Sequence, residues 1–228
     1  MKTGIFITGT NTEVGKTVVA RALVRAFVRQ GLEVAAVKPV ESGAERIDDR
    51  LVPADATDLL RASGRGVDVS DVCAYCFADP VSPHLAARRA SKTIEAGPIL
   101  ALLERHGRDA DLIVAEGAGG LLVPLSDTLL YADLIARTGF GLVIVSPDVL
   151  GTINATLLTI EAARARGIPI KGVILNRTSP DSLGNAEAIA LHGDVPILGS
   201  FPEAPGADDD TLARLAREKI SLDKLRGD

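Results

Sequence analysis

Three consecutive residues, Gly15-Lys16-Thr17, have the types and order needed to handle phosphate. They follow the apolar run Ile5–Ile7 and open an amphipathic pattern, so they stand where a strand gives way to a helix. There the free backbone N–H groups of the first helical turn and the positive end of the helix cradle phosphate oxygens. Lys16 is then placed to neutralise the β- and γ-phosphates, and the Thr17 hydroxyl to ligate Mg²⁺. The strict form of this motif has Gly where this chain has Thr10, with Gly9 one step earlier, so the turn from Gly9 to Thr17 is longer or differently shaped.

Other polar residues stand at strand ends. Glu116 closes the apolar run Leu112–Ala115, where a parallel strand delivers its side chain to the ligand-binding edge of a sheet. It is either a magnesium ligand or a local cap. The glycines of Gly117-Ala118-Gly119-Gly120 let backbone come close to a phosphate. Lys38 ends the run Val34–Val37 just before Pro39, whose ring forces an extended conformation on the lysine. A second cation at the γ-phosphate suits transfer to an anionic acceptor, the plainer alternative being a lysine snorkelling at a strand end. Asp55 and Asp58 lie three apart on a short helical pattern; either could join the metal, or both could form a solvated face.

The elements that must hold these residues alternate between short β-branched runs and helical patterns, the mark of βαβ units. The fold class is α/β of the P-loop NTPase type, with a mostly parallel sheet of six or seven strands and helices on both faces. Buried parallel strands read as unbroken apolar runs. Here these are Ile5–Ile7, Val34–Val37, Leu112–Ala115, Leu142–Val145, Val173–Leu175 and Val195–Leu198. A helix with Ala20, Leu23, Val24, Phe27 and Val28 on one stripe and Arg21, Arg25 and Arg29 opposite joins the first two. Another follows Gly151 and stops at Gly167. The stretch from Glu45 to Pro83 is less regular and is expected to be an insertion bearing a substrate loop. With no internal repeat and no Gly-, Ser- or Pro-rich linker, residues 1–228 are expected to form one domain.

The 228 residues are 46% hydrophobic and 24% charged, as in an ordinary globular protein. A net charge of −5 and 3% aromatic content argue against nucleic acid as partner. The short apolar start and the lack of an 18-residue apolar run argue against a signal peptide or a membrane span, so the cytoplasm is expected. Cys73 and Cys76 form a single C-x-x-C with no second pair, half of a zinc site, and are expected to be structural and reduced. Asp208-Asp209-Asp210 suits a helix N-terminal cap, and His106 and His192 are expected at the surface or in loops.

Taken together these residues carry a resemblance. The chain resembles the dethiobiotin synthetases through Gly9-Thr10-Asn11-Thr12-Glu13-Val14-Gly15-Lys16-Thr17, Lys38-Pro39-Val40 with Ser42-Gly43, and Ser82-Pro83-His84. The match continues through Glu116-Gly117-Ala118-Gly119-Gly120 with Pro124-Leu125, Leu150-Gly151-Thr152-Ile153-Asn154, and Asn176. That family also uses the longer phosphate turn with Thr at position 10. The resemblance implies ring closure of 7,8-diaminopelargonate with CO₂ and MgATP, giving dethiobiotin, ADP and phosphate. It implies that Lys16 and Lys38 bracket carbamate and γ-phosphate, and that Thr17, Asp55 and Glu116 hold Mg²⁺. Thr12, Lys38, Ser42, Gly151, Thr152 and Asn154 would meet the diamine or its carbamate, the last three across a homodimer interface. The nucleotide would touch Thr12, Glu13, Val14, Gly15, Lys16, Thr17, Val18, Asp55 and Glu116 with Gly117, Ala118 and Gly119. Arg177 and Phe201 would also belong to the nucleotide site, with adenine read by Asn176 and by backbone near Pro202 and Glu203.

Two other classes compete. A partition-type regulatory ATPase carries a signature lysine early in the loop, where this chain has Asn11 followed by Thr12-Glu13. An ATP-dependent amide ligase shares the phosphate turn but needs an ammonia source, and a glutaminase unit with its nucleophilic Cys is not expected in the short tail that follows the core here. A small GTPase is disfavoured because Asn176-Arg177-Thr178-Ser179 lacks the Asp that reads guanine.

Overall fold

A computed structural model describes residues 3–178 and 183–226; Ser179, in the stretch weighed for guanine recognition, lies outside them. Six strands form the central sheet: β1 (Gly4–Gly9), β2 (Val34–Val37), β3 (Leu112–Gly120), β4 (Gly141–Pro147), β5 (Ile170–Thr178) and β6 (Ile197–Pro202). Their spatial order is β6-β5-β4-β1-β3-β2, and every pairing is parallel. All six apolar runs thus become strands, and the central sheet has six. The last begins at Ile197 instead of Val195, because Pro196 has no N–H for a ladder and the strand starts beyond it.

Among the described residues eight α-helices accompany the strands: α1 (Lys16–Arg29), α2 (Ala54–Ser63), α3 (Pro83–Arg89), α4 (Ala96–Gly107), α5 (Tyr131–Thr138), α6 (Thr152–Arg164), α7 (Asn185–Gly193) and α8 (Asp209–Lys219). Because side chains alternate along a strand, the sheet feeds two cores. On one face Ile5, Ile7, Val114 and Val143 meet Leu23 and Phe27 of α1, Leu59 of α2 and Leu212 of α8. On the other Phe6, Ile113, Ile144 and Val173 meet Ile99 and Leu103 of α4, Leu134 of α5, Ile160 of α6 and Ile189 of α7. Helices on both faces leave the strand ends as the place for polar chemistry.

The expected insertion is more ordered than its sequence pattern suggests. Val40–Ser42 pairs in parallel with Tyr75–Phe77, and Glu45–Ile47 forms an antiparallel hairpin with Arg50–Val52. His106, expected at the surface or in a loop, lies on the inward face of α4, where its Nε2 sits 2.6 Å from the Asp71 carbonyl. Its spacing from Leu102 and Leu103 places it on the same stripe. His192 is exposed in the last turn of α7. Cys73 is buried and Cys76 half-buried, both free thiols. Asp208 accepts from the Thr211 N–H at 2.7 Å, the expected cap.

Candidate active site

The carboxyl ends of β1, β3 and β2, which are neighbours in the sheet, converge on one cleft of about 840 Å³. Between β1 and α1 the chain makes a turn held at its tip by Asn176 of β5, whose Nδ2 donates to the Val14 carbonyl at 2.9 Å. Gly15 has φ +87°, and a Cβ there would meet Asn176 Nδ2 at 2.0 Å, so both conformation and packing require glycine. Glu13 at φ 59° and Arg177 at φ 58° are non-glycine residues in the left-handed region, and both line the cleft. Such conformations persist only where their surroundings impose them. On β3, a Cβ at Gly120 would come 3.3 Å from the Gly9 carbonyl, so the glycines after Glu116 bring β3 against the turn.

Beneath the turn lies a buried charge cluster. The Lys38 ammonium donates to Glu116 Oε1 at 2.6 Å, to Asp55 Oδ2 at 2.8 Å and to the Gly117 carbonyl at 3.3 Å. The Thr17 hydroxyl donates to Glu116 Oε1 at 2.9 Å. Lys16 donates to the Asn11 carbonyl at 3.1 Å, across the turn. Lys38 is 2% exposed and Glu116 wholly buried. Burial alone would drive Lys38 neutral, but the carboxylates of Glu116 and Asp55 hold its pKa above the ordinary lysine value. Burial pushes the Glu116 carboxyl up, only partly offset by Lys38. Asp55, which burial would raise, is held below the usual range by Lys38, the Thr17 hydroxyl and Lys16. Burial and then the nearby Lys38 lower Lys16 to about 8.

One atom of this cluster is unsatisfied. Glu116 Oε2 is buried and has no hydrogen-bond partner, an expensive state for a carboxylate oxygen. The Thr17 hydroxyl bonds the other oxygen of the same carboxylate, and Asp55 shares Lys38 with it. Hard oxygen donors around an orphaned anionic oxygen fit Mg²⁺, which takes few protein ligands and completes its shell with water and phosphate oxygens.

The cleft brings together Thr12, Glu13, Gly15, Lys16, Thr17, Val18, Lys38, Ser42, Asp55, Glu116, Ala118, Gly119 and Arg177. Val14 and Gly117 are buried behind its wall. Asp58 points elsewhere, to Arg61 at 2.8 Å and Arg21 at 3.5 Å, so the structure separates the two aspartates that spacing left equal. The Phe201 side chain is in the core, which leaves its main chain for any ligand; Pro202 is half-buried and Glu203 exposed. Gly151, Thr152 and Asn154 form the start of α6 and do not line the cleft. They are nevertheless tied to the turn. Ser146 Oγ lies 3.2 Å from Thr10 Oγ1, 2.5 Å from Thr152 Oγ1 and 2.8 Å from Thr156 Oγ1.

Sequence reasoning missed Glu41. Its two carboxylate oxygens accept from the Asp55 and Ala56 N–H groups, each at 3.0 Å. A signal was available: α2 follows Pro53, which has no capping side chain, so its first N–H groups needed an acceptor from elsewhere.

A family model described as an AAA domain matches residues 3–211. The chain is 39% identical over 215 residues to the ATP-dependent dethiobiotin synthetase BioD of Aromatoleum aromaticum, covering 93% of this chain and 96% of that protein. It is 43% identical over 182 residues to that of Anaeromyxobacter dehalogenans strain 2CP-C, covering 78% of each. To BioD 1 of Escherichia coli O157:H7 the identity is 36% over 200 residues, covering 86% and 89%. Among solved structures, a ParA family ATPase from Chlorobium tepidum superposes with TM-score 0.58 at 17% identity, covering 99% of this chain and 93% of that one. The septum site-determining protein MinD of Pyrococcus horikoshii, described in complex with Mg-ADP, gives the same score and coverage at 19%. These two share the fold; the sequence relatives share much more. The chain belongs to the ATP-dependent dethiobiotin synthetase family.

Proposed function

We propose that this protein makes dethiobiotin from 7,8-diaminopelargonate, CO₂ and ATP, releasing ADP and phosphate. The observation that carries the reading is the pairing of two lysines with two carboxylates and a hydroxyl around one phosphate turn. One amine of the substrate captures CO₂ as a carbamate, losing a proton. A carbamate anion is a poor electrophile with no leaving group, so its oxygen must first take the γ-phosphoryl group. The second amine then attacks the carbonyl carbon, phosphate departs and the ring closes.

Lys38 and Lys16 bracket the carbamate and the γ-phosphate, cancelling repulsion between two anions as they meet. Thr17, Asp55 and Glu116 would hold Mg²⁺, which supplies charge neutralisation at the phosphate oxygens. Thr12 and Ser42 meet the carbamate or amines. The Gly9–Val18 turn, with Gly117, Ala118 and Gly119, receives the triphosphate. Asn176, Arg177, Pro202, Glu203 and the main chain of Phe201 receive adenine. Since Asn176 Nδ2 is engaged by Val14, its Oδ1 is the atom left to accept from the adenine amino group.

The start of α6, at Gly151, Thr152 and Asn154, suits the substrate carboxylate through the N–H groups of Gly151 and Asn154, that of Thr152 donating to the Val149 carbonyl at 3.1 Å. Leu150 beside them is 98% exposed, with Val149, Leu158 and Leu122 also exposed. This supports a homodimer in which the carboxylate site lies at the interface, and the reading takes its subunits as single-domain and cytoplasmic. No helix among the described residues is long and apolar enough to cross a membrane.

The test is ADP release with MgATP and bicarbonate, with and without 7,8-diaminopelargonate, and mass spectrometry of the product. Diamine-dependent ADP and a product heavier by one carbonyl and lighter by two hydrogens support the reading. ATP turnover indifferent to the diamine would sink it.

A further inference from the structure

Helix α2 begins at Ala54 after Pro53, and no side chain at its own N-terminus caps it. Its first-turn N–H groups must find acceptors elsewhere. The Thr57 N–H donates to the Pro53 carbonyl at 3.0 Å, while those of Asp55 and Ala56 go to Glu41, fourteen and fifteen residues earlier. Glu41 is 6% exposed, so water does not compete for these bonds. A Ser or Asp at position 53 would cap the helix equally well. It would not tie the helix to the stretch that carries Lys38.

That tie is what Glu41 adds. Asp55 is held twice from the same stretch: its carboxylate by Lys38 at 2.8 Å and its main-chain N–H by Glu41 at 3.0 Å. The stretch is fixed in turn, because Val40–Ser42 pairs with Tyr75–Phe77 and the Lys38 N–H donates to the Val72 carbonyl at 3.0 Å. Without Glu41, α2 would be free to shift relative to Lys38 and Glu116.

We propose that Glu41 is a positioning residue of the active site, which holds Asp55 in register with Lys38 and Glu116 and thereby sets the affinity for the divalent cation that accompanies ATP. The inference rests on Asp55 being a metal ligand, as in the proposed function. Groups that hold metal ligands in place contribute about 10- to 100-fold to metal affinity.

Mn²⁺ binding in the presence of a non-hydrolysable ATP analogue, read from the electron paramagnetic resonance signal of free Mn²⁺, tests this apart from turnover. Glu41→Ala is expected to weaken Mn²⁺ binding about tenfold. The free Mg²⁺ needed for half-maximal turnover should rise similarly, with the diamine KM little changed. Glu41→Gln keeps one acceptor oxygen and should fall between wild type and alanine. Asp55→Asn should weaken Mn²⁺ at least as much, and adding Glu41→Ala to it should weaken binding no further. Wild-type Mn²⁺ affinity in Glu41→Ala beside a weakened Asp55→Asn overturns the role of Glu41, as does full additivity in the double variant. Wild-type affinity in Asp55→Asn overturns the reading of Asp55 itself, a separate failure. Should the alanine variant not fold, Glu41→Gln decides: binding equal to wild type overturns the inference.

Discussion

Two sets of charges in this molecule are built from the same chemical groups. At the sheet's edge Lys38 sits between Asp55 and Glu116, shielded from water. On the outer side of α1, Arg21, Arg25 and Arg29 face Asp209 and Asp210 of α8, while Arg61 of α2 joins Asp58 and Asp209. The outer set is largely balanced, with paired charges in or near water. The inner set is strained by desolvation and leaves Glu116 Oε2 with nothing to bind. A surface ladder fastens helices at small cost and small gain, whereas a buried cluster stores an unmet demand that a ligand can satisfy.

Substitutions should separate the two. Lys38→Ala is expected to lower dethiobiotin formation by about 10²–10³-fold, as loss of one preorganised charge in an active site does. It also strands two carboxylates, so denaturant unfolding without metal should show a loss of about 3–5 kcal/mol. The alanine variant cannot be a pure test of chemistry, because Lys38 is buried and not at an open strand end. Glu116→Gln comes next: thermal stabilisation by Mg²⁺ in the presence of a non-hydrolysable ATP analogue should shrink to that of nucleotide alone. Unchanged stabilisation would remove Glu116 from the metal site.

The outer ladder should respond far less. Asp209→Ala cuts the bonds from α8 to Arg21 and Arg61, and should cost about 1 kcal/mol in unfolding experiments, with ordinary turnover. A larger loss, or slowed catalysis, would mean that the ladder shapes the site. The smallest effect belongs to Asp210, whose carboxyl Arg25 and Arg29 hold down at about 2. Its folded value lies below the unfolded value of about 3.9, so its contribution is present above about pH 4 and lost as pH falls toward 2. Asp210→Asn should therefore lie slightly below wild type in stability at neutral pH and converge with it near pH 2, measured by thermal melts across that range.

The inner set was partly legible from residue order alone, because Lys38 and Glu116 each follow an unbroken apolar run, although β3 continues past Glu116 to Gly120 and both side chains are buried. That is why Glu116 and Lys38 could be found at the ends of apolar runs. Asp55 and Asp58 could not be separated, since the rotation of α2 against the sheet is decided by packing of Ala56, Leu59 and Ala62. Asp55 came forward only through the family resemblance. Glu41 stayed hidden because the N–H groups it accepts from lie fourteen and fifteen residues away; the uncapped start after Pro53 signals that an acceptor is needed without saying which residue supplies it. The arginine stripe of α1 was visible as polar, but its partners on α8 were not, as they meet only after the sheet is complete. Phe201 shows the opposite limit: next to the adenine end in sequence, its ring belongs to the core.

Parallel pairing has one last consequence. Val37 stands opposite Ala115 and Ile7 opposite Glu116, so Lys38, Glu116 and the end of β1 occupy adjacent rungs of one ladder. Neighbouring strands in any sheet lie about 4.8 Å apart. The sheet therefore works as a ruler for the main chain, setting the backbones that carry Lys38, Glu116 and the phosphate turn one strand apart, and that spacing is upheld by every backbone bond along its length.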